Sequence, residues 1–309
     1  MKRIWILGLM LALVLTAVGA PVSGKHYSGW SAPRRIDELS TLHMDSCPNF
    51  TKDGLTLYFV SYDSTTGTGK RDLYVSQRAS QEAPWGLPQK LGANINTIAN
   101  EERCPFVTPD GRRLIFVRHY FEEGVDKGKD YFYMSIRHDK KDVDGWDEPV
   151  RIDALSSSTG MDTAGWGFEN EDGNLTFYFG SNRAGTFDIY QTTMDSDGNF
   201  TPPVLVKELN DSVAIDYFPT VRKDGLEMYL ISNRNGSAGG SQDIWVSTRN
   251  SISEEWATPV NLGPAVNSTA NEWRSALSWD GMNMIFASNV TGNYDLYTSE
   301  RFKVTGKDK

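Results

Sequence analysis

Asp45-Ser46-Cys47-Pro48-Asn49-Phe50-Thr51-Lys52-Asp53-Gly54 decides the fold, because altered copies of it return along the chain. Residues 102–111, 216–225 and 272–281 repeat its plan, and a looser copy starts at Asp162 and reaches its own Asp-Gly at Asp172-Gly173. Each copy opens on a carboxylate and closes on Asp-Gly, a dipeptide suited to a two-residue hairpin turn with positive φ at its centre. After every Asp-Gly an alternating apolar strand is predicted, as in Leu57-Tyr58-Phe59-Val60 and Met228-Tyr229-Leu230-Ile231. Past a variable tip rich in Gly and Asn comes a further strand, of which Asp72-Leu73-Tyr74-Val75-Ser76 and Asp243-Ile244-Trp245-Val246-Ser247 are examples. Between these units lies Trp-x-x-Pro: Trp30-Ser31-Ala32-Pro33, Trp85-Gly86-Leu87-Pro88, Trp146-Asp147-Glu148-Pro149, Trp256-Ala257-Thr258-Pro259, and a weaker form at Phe200.

One unit is therefore four short strands in about 55 residues, the period of a propeller blade, and there are five. The chain opens with a lone fourth strand at residues 30–36 and ends, at Arg301-Phe302-Lys303, after the third strand of the last unit. A closed ring places the first strand beside the last three and removes an exposed sheet edge. The expectation is an all-β, five-bladed β-propeller of four-stranded antiparallel blades spanning residues 30–303. The repeated tryptophans are expected to be core between blades.

Lys2 and Arg3 precede an uncharged apolar run over residues 4–18 and then Val18-Gly19-Ala20. Residues 1–20 read as a secretory signal peptide too short to be a membrane span, residues 21–29 as a leader and 304–309 as a tail. A secreted or periplasmic protein is expected, with no membrane span once the signal is removed. Losing two basic residues moves the formal charge from -9 to about -11, which disfavours nucleic acid and anionic membrane as partners. Cys47 and Cys104 stand at equivalent places in successive units. They are open to two readings: a bridge, which needs Cα atoms within about 7 Å, or two small core residues.

The pattern Asn-Glu-x-x-Pro-x-x-x-x-Asp-Gly, apolar strand, Ser-Asn-Arg, Asp-Ile-Tyr/Trp-Val-Ser, Trp-x-x-Pro-x-x-Leu-Gly resembles the WD40-like, TolB-type propeller repeat of bacterial envelope and secreted proteins. It is carried here by Asn271-Glu272, Ser181-Asn182-Arg183, Ser232-Asn233-Arg234, residues 243–247 and residues 256–263. The resemblance covers nearly all of residues 30–302 and implies the fold, while such propellers host many functions.

Propeller strands run outward from a channel, so the leading acids are expected around one mouth: Asp45, Glu102 or Glu101, Asp162, Asp216 and Glu272. A structural reading makes each a carboxylate that accepts backbone N–H groups in the turn entering its blade. A catalytic reading makes the protein a glycoside hydrolase acting on a polysaccharide or oligosaccharide. Likeness to the five-bladed arabinanase, β-xylosidase and invertase groups would then make Asp45 base or nucleophile, Asp162 the pKa modulator, and Glu272 or Asp216 the proton donor. No cofactor is expected, although a structural ring holding a divalent cation in its channel is a third alternative.

Positions that differ between units point to specificity. Arg103, Tyr217, Trp273 and Arg274, with Trp166, would give the mouth aromatic platforms and guanidinium forks. The favoured expectation is a binding or interaction module directed to a glycan or an envelope protein. Asp142-Val143-Asp144-Gly145 and Asp195-Ser196-Asp197-Gly198-Asn199 bear a slight likeness to calcium loops but fall where hairpin turns belong.

Overall fold

A computed structural model describes residues 27–63, 70–238 and 241–304. The signal-peptide reading of residues 1–20, most of the leader and most of the tail lie outside them. Five four-stranded antiparallel sheets make the molecule. The innermost strands are β2 (Asp45–Phe50), β6 (Glu101–Val107), β10 (Asp162–Glu169), β14 (Asp216–Val221) and β18 (Glu272–Leu277). The second strands are β3 (Thr56–Asp63), β7 (Arg113–Glu122), β11 (Leu175–Ser181), β15 (Glu227–Ser232) and β19 (Asn283–Ser288). Third come β4 (Lys70–Gln77), β8 (Val125–Ile136), β12 (Asp188–Met194), β16 (Asp243–Thr248) and β20 (Asp295–Glu300). The outermost are two-residue strands: β5 (Gln89–Lys90), β9 (Val150–Arg151), β13 (Val204–Leu205), β17 (Val260–Asn261) and, from the chain's beginning, β1 (Arg34–Arg35).

β1 completes the fifth blade, with Arg34 opposite Thr298 and Arg35 opposite Tyr297. Ser31 N and Ser28 N extend the seam by donating to Glu300 O and Phe302 O, both at 2.8 Å. The closed five-bladed propeller expected from the repeats is the fold observed.

The second strands are not alternating, as expected from sequence, but buried along both faces, and every residue of β11 and β15 is buried. The physical reason is that each lies between two neighbouring blades, and a strand covered on both sides reads as a continuous apolar run. The Asp-Gly turns differ too. Gly54 is left-handed at φ 70° while Asp53 is not, and the loop is wider than two residues, closed by Thr51 N to Thr56 O (2.9 Å) and Gly54 N to Thr51 O (2.9 Å).

Blades are joined by a recurring trio. Trp146 packs edge-on against Tyr58 of the preceding blade, Trp256 against Tyr178 and Trp30 against Tyr229, at centroid distances of 6.1–6.2 Å. Arg137, Arg249 and Arg301 lie over those same indoles at 4.3–4.5 Å, contacts that favour a cation over an aromatic face. Where the trio fails, space opens. The position of Tyr58 is Ile285 in blade 5, and a cavity of about 310 Å³ lies there against Trp85 and Arg78 of blade 1. Blade 3 carries Phe200 in place of the tryptophan, and a cavity of about 370 Å³ lies between blades 2 and 3.

Candidate functional site

The five leading acids begin the innermost strands and are closed to solvent, Asp45, Glu102, Asp162 and Asp216 at 0% exposure and Glu272 at 1%. Each accepts a backbone N–H from the loop entering its own blade. Thr41 N donates to Asp45 (2.5 Å), Thr97 N to Glu102 (3.0 Å), Ser157 N to Asp162 (2.5 Å), Asp211 N to Asp216 (2.6 Å) and Ser268 N to Glu272 (3.1 Å). The ambiguity between Glu101 and Glu102 is thereby resolved in favour of Glu102.

In three blades an arginine holds the second oxygen: Arg118 on Glu102 (2.9 Å), Arg183 on Asp162 (2.9 Å) and Arg234 on Asp216. The same guanidinium groups reach the carbonyls of Ile95, Leu155 and Leu209 in the entering loops. This geometry accounts for Ser-Asn-Arg. The serine receives the arginine Nε in blades 3 and 4, and the asparagine accepts a loop N–H, Met161 N on Asn182 and Ile215 N on Asn233. In blade 5 the hydroxyls of Ser268 and Ser288 serve Glu272 instead (2.7 and 3.2 Å).

Burial raises the pKa of Asp45 to about 6 and that of Glu102 to about 7, and moves Asp162 and Glu272 upward as well. Their chemistry is that of clamps fastening loops. Glycoside hydrolysis needs carboxyl groups open to a sugar.

Two residues after each acid the strand bulges. The register shifts at this place in all five blades, and Cys47, Cys104, Ala164, Phe218 and Arg274 take positive φ values of 58°, 62°, 32°, 52° and 40°. A left-handed non-glycine residue costs roughly 1–2 kcal/mol, so five in equivalent places mark a built feature. Pro48, Pro105 and Pro219 follow three of them, and a proline inside a strand is tolerated at a bulge because the ladder needs no N–H there. The bulge brings unlike side chains together across blades. Cys47 Sγ lies 3.4 Å from Cys104 Sγ and 3.6 Å from Arg274 Nη1, and the Arg274 guanidinium lies over Phe218 at 5.3 Å.

The residue between acid and bulge points elsewhere. In blades 3, 4 and 5 the residue just before the third strand runs alongside the next blade's innermost strand, as Phe187 O accepting Asp216 N and Gln242 O accepting Glu272 N show. Phe187 therefore meets Tyr217 at 5.7 Å, and Trp273 Nε1 bonds Gln242 and the Tyr217 hydroxyl (2.9 Å). Tyr294 O, which accepts Asp45 N, brings its ring onto Trp273, stacked at 4.7 Å with 16° between planes. On blades 1 and 2 the corresponding ground is ionic. Arg103 pairs with Glu101 and Asp130, Arg71 with Glu101, and His119 sits between Asp130 (2.7 Å) and Asp126 (2.8 Å).

Sequence reasoning reached Arg103, Tyr217, Trp273 and Arg274, and these do gather at one end. It missed Phe187, Gln242 and Tyr294. The signal was available in the position before the Asp of each third strand, which reads Arg71, Lys129, Phe187, Gln242 and Tyr294 and never repeats.

Trp166 does not join the group. It lies four residues beyond Asp162, against Phe106 at 5.6 Å, and lines an axial cavity of about 30 Å³ with Lys52, Lys223 and Trp279 near the far ends of the innermost strands. The reason is strand geometry: four residues of strand carry a side chain about 13 Å along the axis. That cavity has room for about one water.

Asp195 accepts Asn199 N (2.8 Å) within its own turn, and Asp144 accepts Gly92 N (2.8 Å) from the preceding blade. Among the described residues no three His, Cys, Asp or Glu side chains stand together as a metal site.

No protein-family model matches the chain, and no curated protein matches it. Solved structures do. A thermostable family-43 glycoside hydrolase aligns over 89% of this chain and 94% of its own, at 12% identity and a TM-score of 0.59. The α-L-arabinofuranosidase of Podospora anserina in complex with cellotriose aligns over 89% and 97%, at 12% identity and a TM-score of 0.57. A protein described as a TolB from Agrobacterium tumefaciens aligns over 85% and 78%, at 20% identity and a TM-score of 0.47. At such identities the likeness is one of fold.

Proposed function

We propose that this is a secreted or periplasmic binding propeller that takes a glycan on the face built from Trp273 and Tyr294, with the buried Tyr217 holding Trp273 from behind. The observation that carries the reading is the stacked Trp273–Tyr294 pair, partly open to solvent, with its polar neighbour Gln242. Partly exposed aromatic faces with a few fixed polar groups suit a ring that is apolar on its faces and polar at its rim. Proteins of the same fold include ones bound to cellotriose and xylotriose, which makes those two sugars sensible first probes.

The hydrolase reading, with Asp45, Asp162, Asp216 and Glu272 as its acids, is weaker because each is closed to solvent and committed to a loop. Calorimetric titration of the full chain with xylotriose, cellotriose and a panel of longer neutral and acidic glycans tests the proposal. A glycan that binds should lose at least about tenfold in affinity on Trp273→Ala, as aromatic anchors do when truncated, while the variant still unfolds in one cooperative thermal transition. Reducing ends released by wild type but not by Asp45→Asn or Glu272→Gln would replace binding with hydrolysis. No binding across the panel would overturn the glycan reading.

A further inference from the structure

Cys47 and Cys104 come from adjacent blades, yet the left-handed bulges of β2 and β6 bring their thiols to 3.4 Å. Both are free and buried, Cys47 keeping 7% of its surface open and Cys104 4%. Cys47 does not pack as an inert core thiol would. Arg274, itself buried at 3% exposure, aims Nη1 at Cys47 Sγ from 3.6 Å, and the Ser46 hydroxyl lies at 3.6 Å on another side. Arg274 has Phe218 over its guanidinium but no carboxylate within ion-pair distance among the described residues. A buried guanidinium needs an anion, and a thiolate on Cys47 is the one within reach.

We propose that Cys47 and Cys104 form a dithiol–disulfide site, oxidised by a diffusible small-molecule disulfide to a covalent link between blades 1 and 2. Cys47 thiolate attacks one sulfur of the small disulfide, whose S–S bond breaks and releases a thiolate that takes up a proton. Cys104 then gives up its proton and attacks Cys47 Sγ, forming the inter-blade bond and expelling the second small thiol. Two protein thiols are oxidised and one disulfide is reduced to two thiols.

The division of labour follows from the surroundings. Burial pushes both thiols up, but the hydrogen bond from Cys104 and the charge of Arg274 outweigh it at Cys47, holding that group below the usual thiol range, while Cys104 moves well up. The pair thus holds one proton, on Cys104, and Cys47 is the nucleophile.

The folded full chain is incubated with oxidised glutathione, quenched in acid and digested without reduction. The expected product is a peptide joining Cys47 to Cys104, with the two thiols of the chain no longer titratable. Cys104→Ser should stop at one glutathione carried on Cys47, the serine hydroxyl replacing the lost donor. Cys47→Ser should react at least about tenfold more slowly, since a thiol without its thiolate is a poor nucleophile. In the Cys104→Ser background the rate should be nearly flat between pH 6 and 8, whereas adding Arg274→Gln should make it rise about tenfold per pH unit. Thiols that stay free in the folded protein but react in urea, or two single variants that react alike, would overturn the proposal.

Discussion

Asp45, like Glu272, clamps its loop without an arginine. Glu102, Asp162 and Asp216 each hold a guanidinium, and Glu272 has two serine hydroxyls. Asp45 has Thr41 and Ser61 as its polar neighbours, and burial brings its pKa to about 6. An unfolded aspartate ionises near 3.9, so between roughly pH 4 and 6 the native state holds the extra proton. Stability from this group therefore falls as pH rises through that window and stays lower above it. A shift of about two units corresponds to on the order of 3 kcal/mol. Asp45→Asn keeps an acceptor for Thr41 N and has no charge to bury. Its stability relative to wild type should rise between pH 4 and 6 and level off above pH 7, as read by urea unfolding at each pH. Parallel curves for the two proteins would show that Asp45 ionises normally.

At the scale of the strand, the bulge is what makes five similar hairpins into five unlike contributors. It needs a residue that tolerates positive φ, and the chain supplies Cys, Cys, Ala, Phe and Arg, none of them β-branched. Ala164 is the cleanest place to measure this, with φ 32° and 1% exposure. Ala164→Gly relieves backbone strain and loses one buried methyl, effects of about 1 kcal/mol each that nearly cancel. Ala164→Val adds bulk and a branched Cβ at a position that disfavours both, and should destabilise by about 2–3 kcal/mol in chemical denaturation. An equal response to glycine and valine would deny the bulge its role.

The bulge also separates what the sequence reveals from what it hides. Period, strand count and closure are legible because each unit repeats Asp-Gly, the apolar run and Trp-x-x-Pro. The carboxylate clamps are legible as a structural alternative because a group present in every unit suits a turn. The meeting of Cys47 with Arg274, 227 residues apart, depends on side-chain direction after a bulge, which periodicity does not encode. Trp166 shows the converse. It is near Asp162 in sequence but belongs to the opposite end of the strand.

For the whole molecule, closure rests on ten residues at the beginning of the described chain. β1 and the backbone bonds of Ser28 and Ser31 cover the edge of β20. Trp30 Nε1 donates to the Tyr229 hydroxyl (3.2 Å), which donates to Glu227 (2.6 Å), and Arg301 grips the same carboxylate through two bonds of 2.7 and 2.8 Å. Arg222 completes the group. The closing strand is thus tied to a buried charged cluster shared by blades 4 and 5. Removing residues 27–36 should uncover a sheet edge and open that cluster to water at the same time. Unpaired edges invite pairing with a second chain, and a buried ion pair deprived of its cover loses several kcal/mol. The truncated protein should unfold at lower denaturant and form concentration-dependent oligomers on gel filtration. A synthetic peptide of residues 27–39, added in excess, should restore the monomer and raise the unfolding midpoint, because a ligand that binds only the closed ring stabilises it by mass action. The same peptide with Trp30→Ala should do so more weakly, by the loss of its indole contact with Tyr229 and Arg301. A truncated chain that remains monomeric with wild-type stability would mean that four blades and three strands close without the strap.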